Sequence, residues 1–276
     1  MMADPGFDER FSDSGYERIR SWLNARCGIH YAEKKKDLLS QRLARVLDQF
    51  ELDNLDDLAF CVEMGQKEDI ELAVVHAAST NHTFFFREPQ VLNYFRDTIL
   101  QLTAHQSELR IWSAAASSGD EAYTLAILAA EVLGREQAAS HVSILATDIS
   151  APVIKQAESG VYSLHHFEHT PEHLLRSYFE PLPDGQFQVA PFLQKMCTFR
   201  RLNLKAQPFP FRRPFDVIFC RNVLYYFDRE NQQRTIEALY DATEPGGWLL
   251  TSVTESVRDL KTRWCCIEGG VYRKLA

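Results

Sequence analysis

Four short apolar runs, separated by longer helical patterns, constrain the fold of the larger, C-terminal part of this chain. The runs are Leu109–Ala115, Val142–Thr147, Phe215–Cys220 and Trp248–Val253, and the helical patterns occupy Asp120–Leu133, the residues from about Ala151, and about Glu230–Ala242. Because the runs are continuously apolar rather than alternating, they are typical of strands that are buried on both faces. Strands that alternate with helices predict a doubly wound, mostly parallel α/β sheet.

The N-terminal part shows helical periodicity from residue 16 to residue 78. In the clearest stretch, Asp37–Phe50, one helix face is expected to carry Leu38, Leu39, Leu43, Val46, Leu47 and Phe50. We therefore expect a small all-helical domain over residues 1–80 and an α/β domain over residues 81–276. Within the second domain, the tight-turn signal Asp184-Gly185 predicts a small β subdomain near residues 180–202.

Composition and charge exclude several classes of protein. The net charge of −8, from 38 acidic and 30 basic residues, disfavours binding to nucleic acid, whose phosphates attract basic proteins. No run approaches the roughly 20 apolar residues that cross a bilayer, so membrane insertion is not expected. The N-terminus lacks the pattern of a signal peptide, and the six cysteines form no Cys-x-x-Cys pair. These features predict a cytoplasmic protein.

Polar residues follow three of the predicted strands, at the edge where open α/β sheets bind ligands. Gly119 is a lone glycine followed by two acids, which disfavours a dinucleotide and suits a cationic cofactor without phosphate. Asp148, after the second run, either binds ribose hydroxyls or caps the next helix. Arg221, after the third run, either forms a structural ion pair or contacts a ligand. Asn222 has no evident capping role, which favours ligand contact.

The segment Ser79–Glu88 links the two predicted domains and has an unusual composition. It contains three consecutive phenylalanines, Phe84–Phe86, flanked by hydrogen-bonding groups and by Arg87. Two interpretations stay open at this point. Either the aromatic side chains pin a linker into the core, or the segment forms a wall of an active site.

Five segments resemble, in order and spacing, the motifs of the CheR family of chemoreceptor glutamate methyltransferases. They are Thr80–Arg87, Trp112–Glu121, Ala146–Ile149, Phe199–Leu204 and Phe215–Asp228. The resemblance covers about residues 15–273 and departs at Val253–Ser256, where the family usually has Gly-His-Ser-Glu. It implies a Rossmann-like S-adenosylmethionine methyltransferase domain, a small N-terminal all-helical domain and a short β insertion.

By this resemblance the chain is a protein-glutamate O-methyltransferase that uses S-adenosyl-L-methionine, releases S-adenosyl-L-homocysteine and needs no metal. The cofactor-binding residues that it implies are Asn81, Thr83, Arg87, Glu121, Asp148, Asn203, Leu204, Arg221 and Asn222. Arg87 and Tyr226 match positions beside the transferred methyl group and are the expected catalytic residues. A glutamate carboxylate, whose ordinary pKa is about 4.3, is already an anionic nucleophile at neutral pH, so no catalytic base is required.

The implied substrate is the cytoplasmic helical bundle of methyl-accepting chemoreceptors, modified during chemotaxis adaptation. A basic run in the predicted helical domain either steers an acidic receptor helix or forms an ordinary solvated surface. Its residues are Lys34, Lys35, Lys36, Arg42 and Arg45. Because the predicted β region is short, we expect little or no dependence on a receptor tail peptide.

Two alternative functions stay open. A catalytically impaired relative would bind the cofactor or the receptor as a signalling module without turnover, and the replacement at Val253–Ser256 keeps this alternative open. A nicotinamide oxidoreductase could use the same architecture. That alternative is disfavoured because the chain lacks the Gly-x-Gly-x-x-Gly motif that such folds use to bind pyrophosphate.

Overall fold

The computed structural model describes residues 10–65, 67–79, 82–104 and 106–275. The chain divides into two compact units. The first comprises the residues up to Thr80 together with Tyr226–Asn231, and the second comprises Asn81–Tyr225 and Gln232–Ala276. The mixed α/β class predicted from the sequence is confirmed.

The first unit is helical, as its periodicity predicts. Its helices are α1 (Asp13–Cys27), α2 (Lys36–Gln49), α3 (Leu55–Met64) and α4 (Glu68–Ala78), with a 3-10 turn at Glu33–Lys35. The hydroxyl of Ser12 accepts from the N–H of Gly15 at 3.0 Å and so caps α1. The side-chain oxygen of Asn54 caps α3 by accepting from the N–H of Asp57 at 2.9 Å. Each such cap stabilises a helix by about 1 kcal/mol relative to alanine.

Helix α2 buries a narrower face than the sequence predicts. Leu39, Leu43, Val46 and Leu47 are buried, whereas Leu38 is 43% exposed. Consecutive residues point about 100° apart around an α-helix, so Leu38 is turned away from the buried face. The expectation that Leu38 lies on that face is therefore wrong.

The described residues of the second unit form ten strands. In chain order they are β1 (Leu109–Ser113), β2 (Val142–Asp148), β3 (Val161–Tyr162), β4 (Phe179–Pro181), β5 (Phe187–Val189), β6 (Cys197–Arg201), β7 (Phe215–Phe219), β8 (Thr243–Leu250), β9 (Cys265–Glu268) and β10 (Val271–Arg273). Seven form the main sheet, in the order β6-β2-β1-β7-β8-β10-β9. Neighbouring strands among the first five in that order pair in parallel. β10 pairs antiparallel with both β8 and β9. The predicted doubly wound, mostly parallel sheet is confirmed.

Helices of the second unit connect and cover the strands. They are α5 (Pro89–Tyr94), which continues through a π-helical turn (Phe95–Ile99) into α6 (Leu100–Thr103), then α7 (Asp120–Leu133), α8 (Arg135–His141), α9 (Ala151–Ser159), α10 (Glu172–Tyr178), α11 (Pro191–Met196) and α12 (Arg229–Asp241), of which the residues from Gln232 onwards belong to this unit. Every residue of α7 from Ala122 to Ala130 is buried, so this helix forms the centre of the core. Among the described residues, no helix combines the length and hydropathy that a bilayer-spanning segment needs.

A small antiparallel sheet, in the order β3-β5-β4, begins earlier in the chain than the predicted β subdomain near residues 180–202. The end of that predicted range belongs to the main sheet, because β6 pairs in parallel with β2, from Cys197 opposite Ile144 to Arg201 opposite Asp148. Only two positions of β6 are buried, so its apolar signal is weaker than that of the central strands.

Candidate functional site

The carboxyl ends of the parallel strands meet at one edge of the main sheet, where ligands of open α/β folds bind. After β1, the chain turns at Gly119 and begins α7. Gly119 has a φ of +90°, and a Cβ at this position would lie 2.7 Å from the Cβ of Ala157, so the turn requires glycine. The hydroxyl of Ser113, the last residue of β1, donates to Oε1 of Glu121 at 2.7 Å. The Glu121 carboxylate therefore lies at the strand edge.

Asp148 ends β2 and joins two strand-end loops. Its Oδ2 accepts from the N–H of Ser117 at 2.9 Å, and its Oδ1 accepts from the N–H of Ser150 at 2.9 Å. Burial raises the pKa of this carboxyl above its ordinary value, although backbone N–H groups act in the opposite direction. The N-cap residue of α9 is Ser150, so Asp148 does not cap that helix. A carboxylate has about four lone-pair sites, and these backbone contacts leave capacity for a ligand hydroxyl.

Arg221 follows β7 and is the centre of a buried ion-pair network. Its Nη1 donates to Oε2 of Glu121 at 2.8 Å. Its Nη2 donates to the carbonyl of Arg87 at 2.6 Å and lies 3.5 Å from Oε2 of Glu88. The structural ion pair considered for Arg221 is therefore present. The buried Nε of Arg221 has no hydrogen-bond partner among the described residues.

Asn222 begins a turn that is held by two carboxylates, neither of them singled out from the sequence. Glu255 accepts from the N–H of Asn222 at 2.6 Å and from the N–H of Leu224 at 2.8 Å. The side-chain amide of Asn222 donates to Oε1 of Glu88 at 2.9 Å. Burial alone would raise the pKa of Glu88, but the hydrogen bond from Asn222 and the charge of Arg221 contribute to a net lowering. The Glu88 carboxyl is therefore favoured in its ionised form.

Phe85, the middle of three consecutive phenylalanines, anchors the segment from residue 82 to residue 88 in the core. Phe85 is fully buried and stacks on Phe167, with the ring centroids 4.9 Å apart. The N–H of Phe85 donates to the carbonyl of His166 at 3.0 Å, and Nδ1 of His166 lies 2.5 Å from Oδ1 of the buried Asp120. The interpretation of a linker pinned into the core is therefore correct for Phe85. The same contacts fix the segment beside the start of α7.

The side chains on either side of Phe85 are less buried. Thr83, Phe84 and Arg87 are each partly exposed. Nη1 of Arg87 donates to the carbonyl of His82 at 2.9 Å, and the Arg87 guanidinium lies 5.8 Å from the centre of the Phe84 ring. Asn81, another predicted cofactor residue, lies outside the described residues.

Backbone strain is concentrated in the same region. Among the described residues, five non-glycine residues have a positive φ: Glu51, Phe86, Glu88, Ser117 and Asn222. All except Glu51 belong to the 82–88 segment or to the loops after β1 and β7. A left-handed conformation costs a non-glycine residue about 1–3 kcal/mol, and such strain clusters at functional sites.

The loop after β6 lies at the same edge of the sheet. The N–H of Leu202 donates to the carbonyl of Asp148 at 2.9 Å, which holds this loop beside the end of β2. The side-chain oxygen of Asn203 accepts from the N–H of Lys205 at 3.0 Å, and Leu204 is buried. The structure thus brings Asn203 and Leu204 to the strand end that also carries Asp148.

Tyr226, one of the two predicted catalytic residues, groups with the first unit. There its carbonyl accepts from the N–H of His30 at 2.7 Å, and the next residue, Phe227, forms an isolated antiparallel bridge with Ile29. Backbone contacts therefore fix the Tyr226 segment within the helical unit.

Comparison with known families matches both parts of the chain. The CheR methyltransferase, SAM binding domain, matches residues 81–272, and the CheR methyltransferase, all-alpha domain, matches residues 14–72. The chain belongs to the CheR methyltransferase family. The family resemblance drawn from the five motifs is confirmed, and so is the fold that it implies.

Curated relatives of this CheR chain agree with the assignment. The chemotaxis protein methyltransferase of Borreliella burgdorferi is 35% identical over 85% of each chain. That of Vibrio parahaemolyticus is 33% identical over 95% of this chain and 97% of the relative, and that of Escherichia coli is 32% identical over 95% and 91%. These matches identify a methyltransferase, and nothing in them favours the catalytically impaired alternative. A solved N-methyltransferase, NodS from Bradyrhizobium japonicum, is 15% identical over 60% of this chain and 61% of that chain with a TM-score of 0.32, too low to bear on function.

Proposed function

We propose that this CheR chain transfers a methyl group from S-adenosylmethionine to glutamate side chains of chemoreceptors and so forms glutamate methyl esters. The observation that carries the proposal is the cluster of Glu121, Asp148 and Arg221 at the strand edge of a CheR S-adenosylmethionine-binding domain. Each of these side chains is fixed by hydrogen bonds, so the polar edge is preorganised.

The residues at this edge suit a cofactor that contains a ribose and an amino-acid carboxylate. Asp148 has acceptor capacity for a ribose hydroxyl, in addition to its backbone contacts. The part of the chain that the structure describes provides no acceptor for the buried Nε of Arg221, and a cofactor carboxylate would satisfy this charged donor with a strong hydrogen bond. The proposed cofactor residues are Asn81, Thr83, Arg87, Glu121, Asp148, Asn203, Leu204, Arg221 and Asn222.

Bound S-adenosylmethionine supplies a methyl group on a positively charged sulfur. Attack by an ionised glutamate neutralises both charges, so a site that excludes water favours the transition state over the hydrated ions. Arg87 would orient the receptor carboxylate through its guanidinium, and alignment of this kind supplies roughly 7–11 kcal/mol in well-oriented pairs. Phe84 offers a partly exposed aromatic ring to the cation, a contact worth about 0.5–2 kcal/mol. Tyr226 is kept as the second proposed catalytic residue. Phe85 is unsuited to this role because it is fully buried.

The first unit presents only part of the predicted basic run for receptor docking. Lys36 forms an ion pair with Asp13, and Nη1 of Arg42 lies 3.3 Å from the carbonyl of Ser79. Both side chains are thus engaged in contacts within the unit. The exposed bases are Lys34, Lys35 and Arg45. We assign these three the role of steering an acidic receptor helix, an effect that salt should weaken.

Methyl transfer tests the proposed function directly. Purified chain is incubated with S-adenosylmethionine labelled in its methyl group and with the cytoplasmic fragment of a chemoreceptor from the same organism. We expect label in the receptor that mild base releases as methanol, and no label in a control fragment whose methylation-site glutamates are changed to alanine. Label that resists base, or no label with any receptor of that organism, would contradict the proposal.

Asp148→Asn is expected to weaken the binding of S-adenosylhomocysteine by about 10- to 100-fold. A hydrogen bond to a charged group contributes about 1.5–3 kcal/mol. In addition, the side-chain amide of asparagine would place its NH2 group opposite one of the backbone N–H groups that the Asp148 carboxylate accepts from. Isothermal calorimetry measures the effect. The control is Asp184→Asn, in an exposed turn where an amide oxygen can still accept from Gln186. Unchanged affinity in Asp148→Asn would remove this carboxylate from the cofactor site.

A further inference from the structure

We propose that Glu255 is a positioning residue for methyl transfer, which sets the conformation of the Asn222–Tyr225 turn and thereby the cofactor-binding edge. This inference rests on the proposed function, because it assigns a role at the same site. The carboxylate belongs to the run Val253–Ser256, where the sequence led us to expect a departure from the family motif. No role was assigned to it from the sequence.

The contacts of Glu255 are all directed at one turn. Its side chain lies in the interior, with the residue 6% exposed. Oε2 accepts from the N–H of Asn222 at 2.6 Å, and Oε1 accepts from the N–H groups of Leu224 at 2.8 Å and Tyr225 at 3.4 Å. One carboxylate therefore binds three backbone donors within four consecutive residues. Without it, the N–H groups of Asn222 and Leu224 would lose this acceptor inside the protein, at a cost of about 1–3 kcal/mol each.

The turn needs such an anchor because its first residue is strained. Asn222 has a φ of +57°, which is a left-handed conformation that costs a non-glycine residue free energy. Its backbone is bound by Glu255 and its side chain by Glu88, so two carboxylates hold it from different directions. Arg221, which precedes Asn222, carries the buried donor assigned to the cofactor. A change in the turn would displace that donor.

Several hydrogen bonds hold the loop that carries Glu255 in place. The hydroxyl of Thr251 donates to the carbonyl of Glu255 at 2.9 Å. The hydroxyl of Ser252 donates to Oε1 of Glu88 at 3.0 Å, so the loop also contacts the second carboxylate of the turn. The N–H of Val257 donates to the hydroxyl of Tyr272 in β10 at 3.2 Å. The anchor is thus connected to the sheet on both sides.

The geometry requires a carboxylate rather than an amide at position 255. Both carboxylate oxygens of Glu255 accept from backbone N–H groups. A glutamine at this position would place its side-chain NH2 group against one of these N–H groups, where no hydrogen bond can form. Burial raises the pKa of the Glu255 carboxyl above its ordinary value, and the N–H groups of Asn222, Tyr225 and Leu224 act against this. The charged or titratable groups that face this region are Glu88, Arg221 and the thiol of Cys220, whose pKa burial raises well above its ordinary value.

Glu255→Gln tests the inference, with the exposed Glu268→Gln in β9 as the matched control. We expect the affinity for S-adenosylhomocysteine to fall by about tenfold or more in Glu255→Gln and to stay unchanged in Glu268→Gln, as measured by calorimetry near pH 7.5 on chains whose far-ultraviolet circular dichroism matches the wild type. Equal affinity in wild type and Glu255→Gln would overturn the inference. Failure of the wild type to bind would instead overturn the proposed function.

A mutant cycle separates positioning from a general structural role. If Glu255 acts by holding the left-handed conformation of residue 222, the two changes should not be additive, because glycine adopts this conformation without such help. Asn222→Gly should therefore weaken cofactor binding less in the Glu255→Gln background than in the wild type. Strictly additive effects on binding would overturn the inference. If Glu255→Gln does not fold, Glu255→Asp replaces it under the same criteria, because it keeps the charge and withdraws both oxygens by one methylene.

Discussion

Replacing Arg87 with alanine should abolish methyl transfer and leave the thermal melt nearly unchanged. The Arg87 side chain is 25% exposed. Its contacts to described residues include a hydrogen bond to the carbonyl of His82 and a long, 3.9 Å approach of its Nε to Oε1 of Glu88. The contact with buried Arg221 is made by the Arg87 carbonyl, which alanine retains. We expect kcat/KM to fall on the order of 1,000-fold or more, equivalent to about 4 kcal/mol of transition-state stabilisation, because the receptor carboxylate loses its orienting group.

The measurement is the initial rate of labelled methyl transfer, together with the melting temperature by circular dichroism. Arg176→Ala is the control, since Arg176 is exposed on α10 and forms an ion pair with the equally exposed Glu172 of the same helix. A variant at position 87 that turns over normally would remove Arg87 from the mechanism. A collapsed melt would show that Arg87 is structural.

Arg221→Met is expected to destabilise the fold by about 3–5 kcal/mol and to eliminate measurable cofactor binding. Arg221 is buried and binds Glu121 and Glu88, whose side chains are 13% and 20% exposed. Removing the cation leaves two mostly buried carboxylates without their counter-charge, and breaking a buried pair in this way carries a cost of that size. Urea unfolding measures the change in free energy.

The matched control is Arg213→Met. Arg213 pairs with Glu108 at 2.8 Å, but the two side chains are 64% and 44% exposed. Exposed pairs contribute roughly 0–1 kcal/mol, so this variant should unfold at nearly the wild-type urea concentration. If the two variants lose similar small amounts of stability, the buried ion pairs of Arg221 with Glu121 and Glu88 do not stabilise the fold as expected.

Continuous apolar runs predicted the central strands well because such strands are largely buried on both faces. β1, β2, β7 and β8 all carry continuous apolar runs, and all four were expected. β6 and β9 lie at the two edges of the sheet, and their residues are largely exposed, so they carry little apolar signal. In the small sheet, β4 and β5 pair on either side of the predicted Asp184-Gly185 turn, whereas β3 lies outside the predicted range.

The site could be predicted in part. The strand-end rule located Glu121, Asp148 and Arg221 because each follows an apolar run. It did not find Glu88 or Glu255, because their importance comes from contacts with Asn222 across 134 and 33 residues of chain. A local pattern contains no information on such pairs. The structure also answered the question left open for Phe85, which anchors its segment in the core.

The central claim is that the carboxyl edge of this CheR sheet holds an adenosyl cofactor. Calorimetric titration of the whole chain with S-adenosylhomocysteine, and separately with NADH, tests it most directly. We expect saturable binding of one S-adenosylhomocysteine per chain and no binding of NADH. A flat S-adenosylhomocysteine titration at saturating concentration, or tighter binding of NADH, would contradict it.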